Sequence, residues 1–190
     1  MAETKSHSTR DRLLAAAREE FATHGIAGAR VDRIASAAGA NKERIYGNFG
    51  SKEALFLAVV TEAKAEHAEG IGMPEGDLAD YVGRLYDFHR QHPVLLRLML
   101  WEALYYGDRP VDDDPRQPSY RKKVEALAEA LGRPADHDTA ATLMVLIGLA
   151  CWPHTMPQLA RFLIKGDSAE ERHQVMRAQV VALTRQALSS

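Results

Sequence analysis

Apolar residues in this chain recur every three or four positions almost from end to end. No segment sustains the one-by-one alternation of β-branched residues that a half-buried strand needs. A chain patterned this way buries its apolar surface by packing helix on helix, so the fold class is all-α, with nine or ten helices and no strand. The interruptions are Gly25, Gly39-Ala40-Asn41, the Gly/Pro-rich stretch from Gly70 to Gly76, Pro93, a loop from Gly107 to Pro118, Gly132-Arg133-Pro134, Pro153 and Gly166. Between them the spacing predicts helices over Thr9–His24, Val31–Ala38, Lys42–Asn48, Lys52 to about Ala68, Leu78–Gln91, Val94–Tyr106, Tyr120–Leu131, Thr139–Trp152, Pro157–Ile164 and Ala169–Leu188. Ser8 with Asp11, and Ser168 with Glu171, have the spacing of capping boxes, and Ser51 is a good N-cap.

With 190 residues, 46% of them apolar and 26% charged, the chain has the make-up of a globular protein rather than a disordered or fibrous one. The one cysteine, Cys151, can neither close an intrachain disulfide nor join a zinc cluster. The first residues are polar and lack the apolar stretch of a signal peptide. The apolar runs Leu98 to Trp101 and Leu143 to Cys151 fall well short of the ~20 residues that cross a bilayer. A cytoplasmic protein with no membrane partner is expected. The net charge of −2 argues against a chain devoted throughout to nucleic acid, but the charge is unevenly spread. Residues 1–56 carry 9 basic and 7 acidic side chains, and residues 57–190 carry 15 and 19.

The most informative stretch is VDRIASAAGANKERIYGNF, from Val31 to Phe49. Two short helices flank Gly39-Ala40-Asn41. Gly39 can take the left-handed conformation that ends a helix, and Asn41 can cap the next. This is the spacing of a helix-turn-helix, whose second helix puts its first residues into the major groove. Lys42, Glu43, Arg44 and Tyr46 face outward there, with Asn48 beyond. Arginine reads guanine with two hydrogen bonds and glutamate accepts from cytosine N4, while Lys42 and Lys52 suit phosphate oxygens.

Further residues carry a family resemblance. Arg10, Leu14, Ala17, Phe21 and Gly25, then Val31-Asp32-Arg33-Ile34-Ala35, Ala38-Gly39 and Ile45-Tyr46, and finally Phe49-Gly50-Ser51-Lys52-Glu53-Ala54-Leu55 keep one ungapped register. This stretch resembles the DNA-binding domain of the TetR (tetracycline repressor) family of bacterial transcription regulators. The resemblance implies a three-helix DNA-binding domain over 1–56 and a helical effector-binding and dimerisation domain over 57–190. It also implies a homodimer on a near-palindromic double-stranded DNA operator, a small-molecule effector that releases the operator, no enzymatic activity and no cofactor. By motif position Tyr46 and Lys52 are phosphate contacts. Lys42, Glu43, Arg44 and Asn48 lie on the variable surface that sets operator sequence, with Asn41 capping it. The family commonly has threonine where Ala29 stands. Arg30 can replace its phosphate contact but cannot serve as an N-cap acceptor. Glu43 stands where a small residue is frequent, and it either reads a cytosine or pairs with Arg44 or Arg30.

In the second half, Pro93 to Gly107 is apolar on every side of a helical wheel. Trp101, Tyr105 and Tyr106, with Tyr81, Leu85, Phe88 and His89 from the preceding helix and Met144 from a later one, are candidates to line a pocket for a small apolar or aromatic effector. A filled core is the competing arrangement for the same residues. His89, His92, His137 and Asp138 raise the alternative of an all-helical metal-dependent phosphohydrolase. Asp136-His137-Asp138 equally reads as a capping sequence, however, and no ligand spacing repeats, so no metal site is expected. Leu143, Ile147, Gly148 and Cys151, with Val175, Ala178, Val181 and Ala182, are the candidate dimer contacts, the resemblance implying an intersubunit four-helix bundle.

Overall fold

The computed structural model describes residues 8–107, 116–165 and 168–188. It contains α1 (Thr9–Gly28), α2 (Val31–Ala37), α3 (Lys42–Phe49), α4 (Lys52–Ile71), α5 (Leu78–Gln91), α6 (Pro93–Tyr106), α7 (Gln117–Leu131), α8 (His137–Thr155), α9 (Pro157–Leu163) and α10 (Ala169–Leu188). Among the described residues there is no strand. The caps read from sequence are present. Ser8 and Asp11 close a reciprocal capping box, and the Asn41, Ser51 and Ser168 side chains accept from the amides of Arg44, Ala54 and Glu171.

Several boundaries differ from the sequence expectation by one to four residues; α1 passes the stop expected at Gly25 and runs on across a kink to Gly28. Helix α8 does not stop at Pro153 but continues to Thr155. A proline removes one helical hydrogen bond, and with the helix ending two residues later the loss stays local. Helix α7 starts three residues before Tyr120, with Pro118 in its first turn, where a proline's missing N–H costs nothing. Most of the loop expected from Gly107 to Pro118, and the break at Gly166, lie outside the described residues.

The chain forms two compact units. The first comprises, among the described residues, 8–66 and 97–107; the second comprises 67–96, 116–165 and 168–188. The break expected at Phe56 therefore falls inside α4, which runs on through it. In the first unit, Leu14, Ala17 and Phe21 of α1, Ile34 of α2, Ile45 of α3, and Leu55, Phe56 and Val59 of α4 are all buried. The Phe21 and Phe56 rings meet edge to face at 5.1 Å. Gly25 breaks the regular path of α1 with φ 65° and ψ 179°. The indole of Trp101 lies against it so closely that a Cβ there would sit 2.6 Å from the ring. The same indole N–H donates to the Ala22 carbonyl at 3.3 Å.

In the second unit, α5 packs on α8 and α10, and α7 packs on α8. The core joins Tyr81, Val82, Leu85 and Tyr86 of α5 to Leu127 of α7, Leu143, Leu146 and Ala150 of α8, and Val180 of α10. Helices α5 and α10 run antiparallel, as their ion pairs show: Asp77–Arg185 at 3.1 Å, Asp87–Arg177 at 2.7 Å and Arg90–Glu170 at 2.5 Å. His89 is 2% exposed, and burial, with the neighbouring His154 and His92, pushes its pKa down to about 4.

Two outcomes follow. Gly25→Ala should lower stability by about 2–4 kcal/mol, from left-handed strain and overpacking against Trp101, as read by urea unfolding. The folded chain keeps His89 neutral, whereas the unfolded chain protonates it near the ordinary value of 6.5. Its contribution is thus intact above that value and is lost as pH falls toward about 4. In His89→Phe the fall in unfolding free energy across this window should be shallower, by up to ~1.4 kcal/mol per pH unit.

Candidate functional site

The helix-turn-helix is built from local and long-range restraints together. Gly39 takes φ 62° at the turn, as a residue without Cβ can do cheaply, and the Asn41 side chain accepts from the Arg44 amide at 3.1 Å. Helix α2 has no side-chain cap of its own, since Arg30 stands at its N-cap. Glu20 of α1 supplies what is missing. Its carboxylate accepts from the Arg30 amide at 2.8 Å and from the Arg33 guanidinium at 2.5 to 3.0 Å. Burial works to raise the Glu20 pKa, but the Arg33 hydrogen bonds, the Arg30 amide and the Arg33 charge together hold it below the ordinary carboxyl value. At the other end of α2, Arg12 of α1 donates to the Ala38 carbonyl at 3.2 Å. Arg10 lies over the Phe49 ring at 5.5 Å. Nothing in the local spacing of the sequence singles out Glu20 or Arg12; both act across more than nine residues.

With α2 tied at both ends, α3 buries Ile45 alone and exposes Lys42, Glu43, Arg44, Tyr46 and Asn48 on its outer surface. The Arg44 guanidinium and the Glu43 carboxylate form no ion pair among the described residues, with each other or with Arg30. Lys42 pairs with Asp32 at 2.5 Å, both ends exposed, a contact that water and phosphate displace at little cost. The Asn48 amide turns back to donate to the Arg44 carbonyl at 2.6 Å. Lys52, half-buried, donates to the Ala29 carbonyl at 3.4 Å and so ties the start of α4 to the turn before α2. Arg30, Lys42 and Arg44 are exposed cations on this unit.

The candidate effector residues are divided between the two units. Tyr81, Leu85 and His89 are buried in the second unit with Phe88 half-buried beside them. Trp101, Tyr105 and Tyr106 belong to the first unit, where Trp101 holds Gly25 and the two tyrosine rings meet edge to face. Met144 is 73% exposed on α8. Among the candidate dimer residues, Leu143 and Cys151 are buried within their own chain, and burial pushes the Cys151 thiol up to about 12, as expected of inert packing. The exposed apolar stripe of α8 lies one position round, at Met144, Val145, Gly148 and Trp152, with Ile147 half-buried at its edge. On α10, Val175, Ala178 and Ala182 are exposed and Val181 is half-buried. Among the described residues no three His, Cys, Asp or Glu side chains converge to hold a metal. Asp136 caps α8 through the Thr139 amide at 3.0 Å. No single described helix is long and apolar enough to cross a membrane.

An exposed, capped second helix held over a three-helix core defines a helix-turn-helix DNA-binding regulator. Residues 13–59 match the model of bacterial regulatory proteins of the tetR family, and residues 77–186 match the tetracyclin repressor-like C-terminal domain. The HTH-type transcriptional repressor SCO4008 of Streptomyces coelicolor is 38% identical over 89% of this chain and 90% of its own. The HTH-type transcriptional repressor NicS of Pseudomonas putida is 33% identical over 52% of this chain and 50% of its own. The crystal structure of the transcriptional regulator SCO4942 from Streptomyces coelicolor superposes with a TM-score of 0.75, at 33% identity, over 93% of this chain and 98% of that one. The chain belongs to the TetR family. It is a helix-turn-helix transcriptional repressor that binds DNA and is not an enzyme.

Removing the Glu20 carboxylate should expose its role. Glu20→Ala leaves the Arg30 amide and Arg33 without their acceptor and should cost about 1–3 kcal/mol in urea unfolding. The contribution of Glu20 is present above the ordinary carboxyl value and is lost as pH falls through its depressed folded value. The variant and the parent should therefore converge in acid.

Proposed function

We propose that the protein represses transcription as a homodimer on a near-palindromic operator and is released by a small apolar or aromatic effector bound in its larger helical unit. The observation that carries the DNA-binding part is the outer surface of α3, where Arg44 and Glu43 stand exposed without ion-pair partners among the described residues. Uncommitted donors and acceptors of this kind suit base edges, and this favours readout over internal pairing for Glu43. Arg30, Lys42, Tyr46 and Lys52 suit phosphates, which set register without specifying sequence. An excess of two positive charges over residues 1–56 is small, and two linked units on half-sites about 34–36 Å apart, or a multiple of that, make up the affinity.

The exposed apolar stripes of α8 and α10 support the dimer. Met144, Val145 and Trp152 are 73%, 62% and 58% exposed, and Gly148 in the same stripe lets a partner helix approach closely. The buried aromatic residues of α5 support an effector site in the second unit, and helices α4 and α6, which contribute residues to both units, are its covalent route to the DNA-binding unit. A regulator of this kind works in the cytoplasm.

Selection of bound sequences from random duplex DNA should return an inverted repeat, and gel retardation on it supplies the assay. Arg44→Ala should relax preference at one base pair per half-site by about 1–3 kcal/mol. Lys52→Met should weaken binding to all sequences and flatten its salt dependence. Gly148→Arg should shift the sedimentation coefficient to that of a monomer and weaken operator binding, and an unchanged dimer would displace the interface from α8. A small-molecule screen for operator release completes the test, and a protein that no compound releases or thermally shifts would contradict the effector.

A further inference from the structure

Helix α7 turns one lysine inward. Its buried positions are Lys123, Leu127 and Ala128, and Leu127 joins Tyr81 and Leu85 of α5 and Leu143 and Leu146 of α8 in the core of the second unit. Lys123 stands one turn before Leu127 and is 6% exposed. Lysine is almost never buried to this degree without a paired acid, because apolar neighbours do not replace the hydration that its ammonium loses. Among the described residues, however, Lys123 has neither an ion pair nor a hydrogen bond. Burial lowers its pKa, and no described charge opposes that fall. Its Nζ is not sealed off, so a narrow opening reaches the ammonium.

The surroundings favour an anion. Arg121 and Lys122 precede Lys123 on the exposed side of α7, and neither forms an ion pair among the described residues. The acids of the same helix, Glu125 and Glu129, are exposed and form none with Lys123. A second polar group of this core also lacks a protein partner, since the buried Tyr81 hydroxyl makes no hydrogen bond with a described residue. Burial pushes its pKa up to about 12, so it stays protonated and can donate. Tyr120, one turn before Lys123, is near enough to Tyr81 to add to that rise, which puts this end of α7 beside α5.

We propose that Lys123 anchors the acid group of a small apolar carboxylic acid, whose body lies against the core that α7 shares with α5 and α8. A buried ammonium and a carboxylate neutralise each other, so the bound acid removes the one charge that this core leaves unpaired among the described residues. Lysine acts here as a single point charge and balances one negative charge; a phosphate near neutral pH would bring a second with no buried group to meet it. The inference rests on the effector reading and narrows it to acids.

The test uses the full chain and two probes of one shape, 4-phenylbutyrate and the neutral 4-phenylbutanol. Calorimetric titration should show the acid binding at least tenfold more tightly than the alcohol. Lys123→Met keeps the aliphatic stem and removes the charge; it should lose acid binding at least tenfold and leave alcohol binding unchanged. Without ligand its unfolding midpoint should be no lower than that of the parent, because the substitution removes a charge that burial penalises. A measurement on the parent chain needs no variant: 4-phenylbutyrate should slow reductive methylation of Lys123, read by peptide mass, and leave the exposed Lys122 unaffected. Acid binding retained in Lys123→Met, or Lys123 methylated equally fast with the acid bound, would overturn the proposal. An alcohol that binds as well as the acid and releases the operator would overturn it too, while leaving the effector reading in place. Binding of neither probe would also overturn it, and the effector reading would then stand or fall on the operator-release screen.

Discussion

The first unit depends on the seat that Trp101 makes for Gly25. An L-residue with a Cβ could not occupy that position, for two reasons that reinforce each other: the backbone is left-handed and the indole is already there. From that kink the chain reaches Ala29 and Arg30, whose carbonyl and amide are taken by Lys52 and Glu20. Arg12 holds the far end of α2. The position of α3, which meets DNA, is thus inherited through α2 from α1 and from an indole seventy-six residues downstream of the kink.

The second unit relies on a different device. Three charge pairs set the register between α5 and α10, and beneath them the tyrosines and leucines of α5 fill the core. Exposed pairs of this sort contribute little net stability, and burial of apolar surface carries most of it. What the pairs do is fix which turn of α10 meets which turn of α5.

Much of the structure was legible in local sequence because its causes are local. Helix starts follow from Ser8, Asn41, Ser51 and Ser168, whose side chains reach amides three residues on. The recognition surface was legible for the same reason, since a helix of eight residues that buries Ile45 and half-buries Phe49 exposes the other six. Pro153 misled because a proline near the end of a helix breaks only a bond that is almost terminal.

Periodicity determined that this protein is all-helical, where its turn helices lie, and which residues of α3 are offered to DNA, because each of these depends on neighbours within four residues. Only the tertiary structure decided that Trp101 is seated on the Gly25 kink, that Met144 is exposed while Leu143 and Cys151 are buried, and that Asp77, Asp87 and Arg90 of α5 meet Arg185, Arg177 and Glu170 of α10. An aromatic or small residue on a helix carries no mark of which neighbouring helix it will meet. That choice is made by how whole helices fill space against one another, which no interval of three or four residues records.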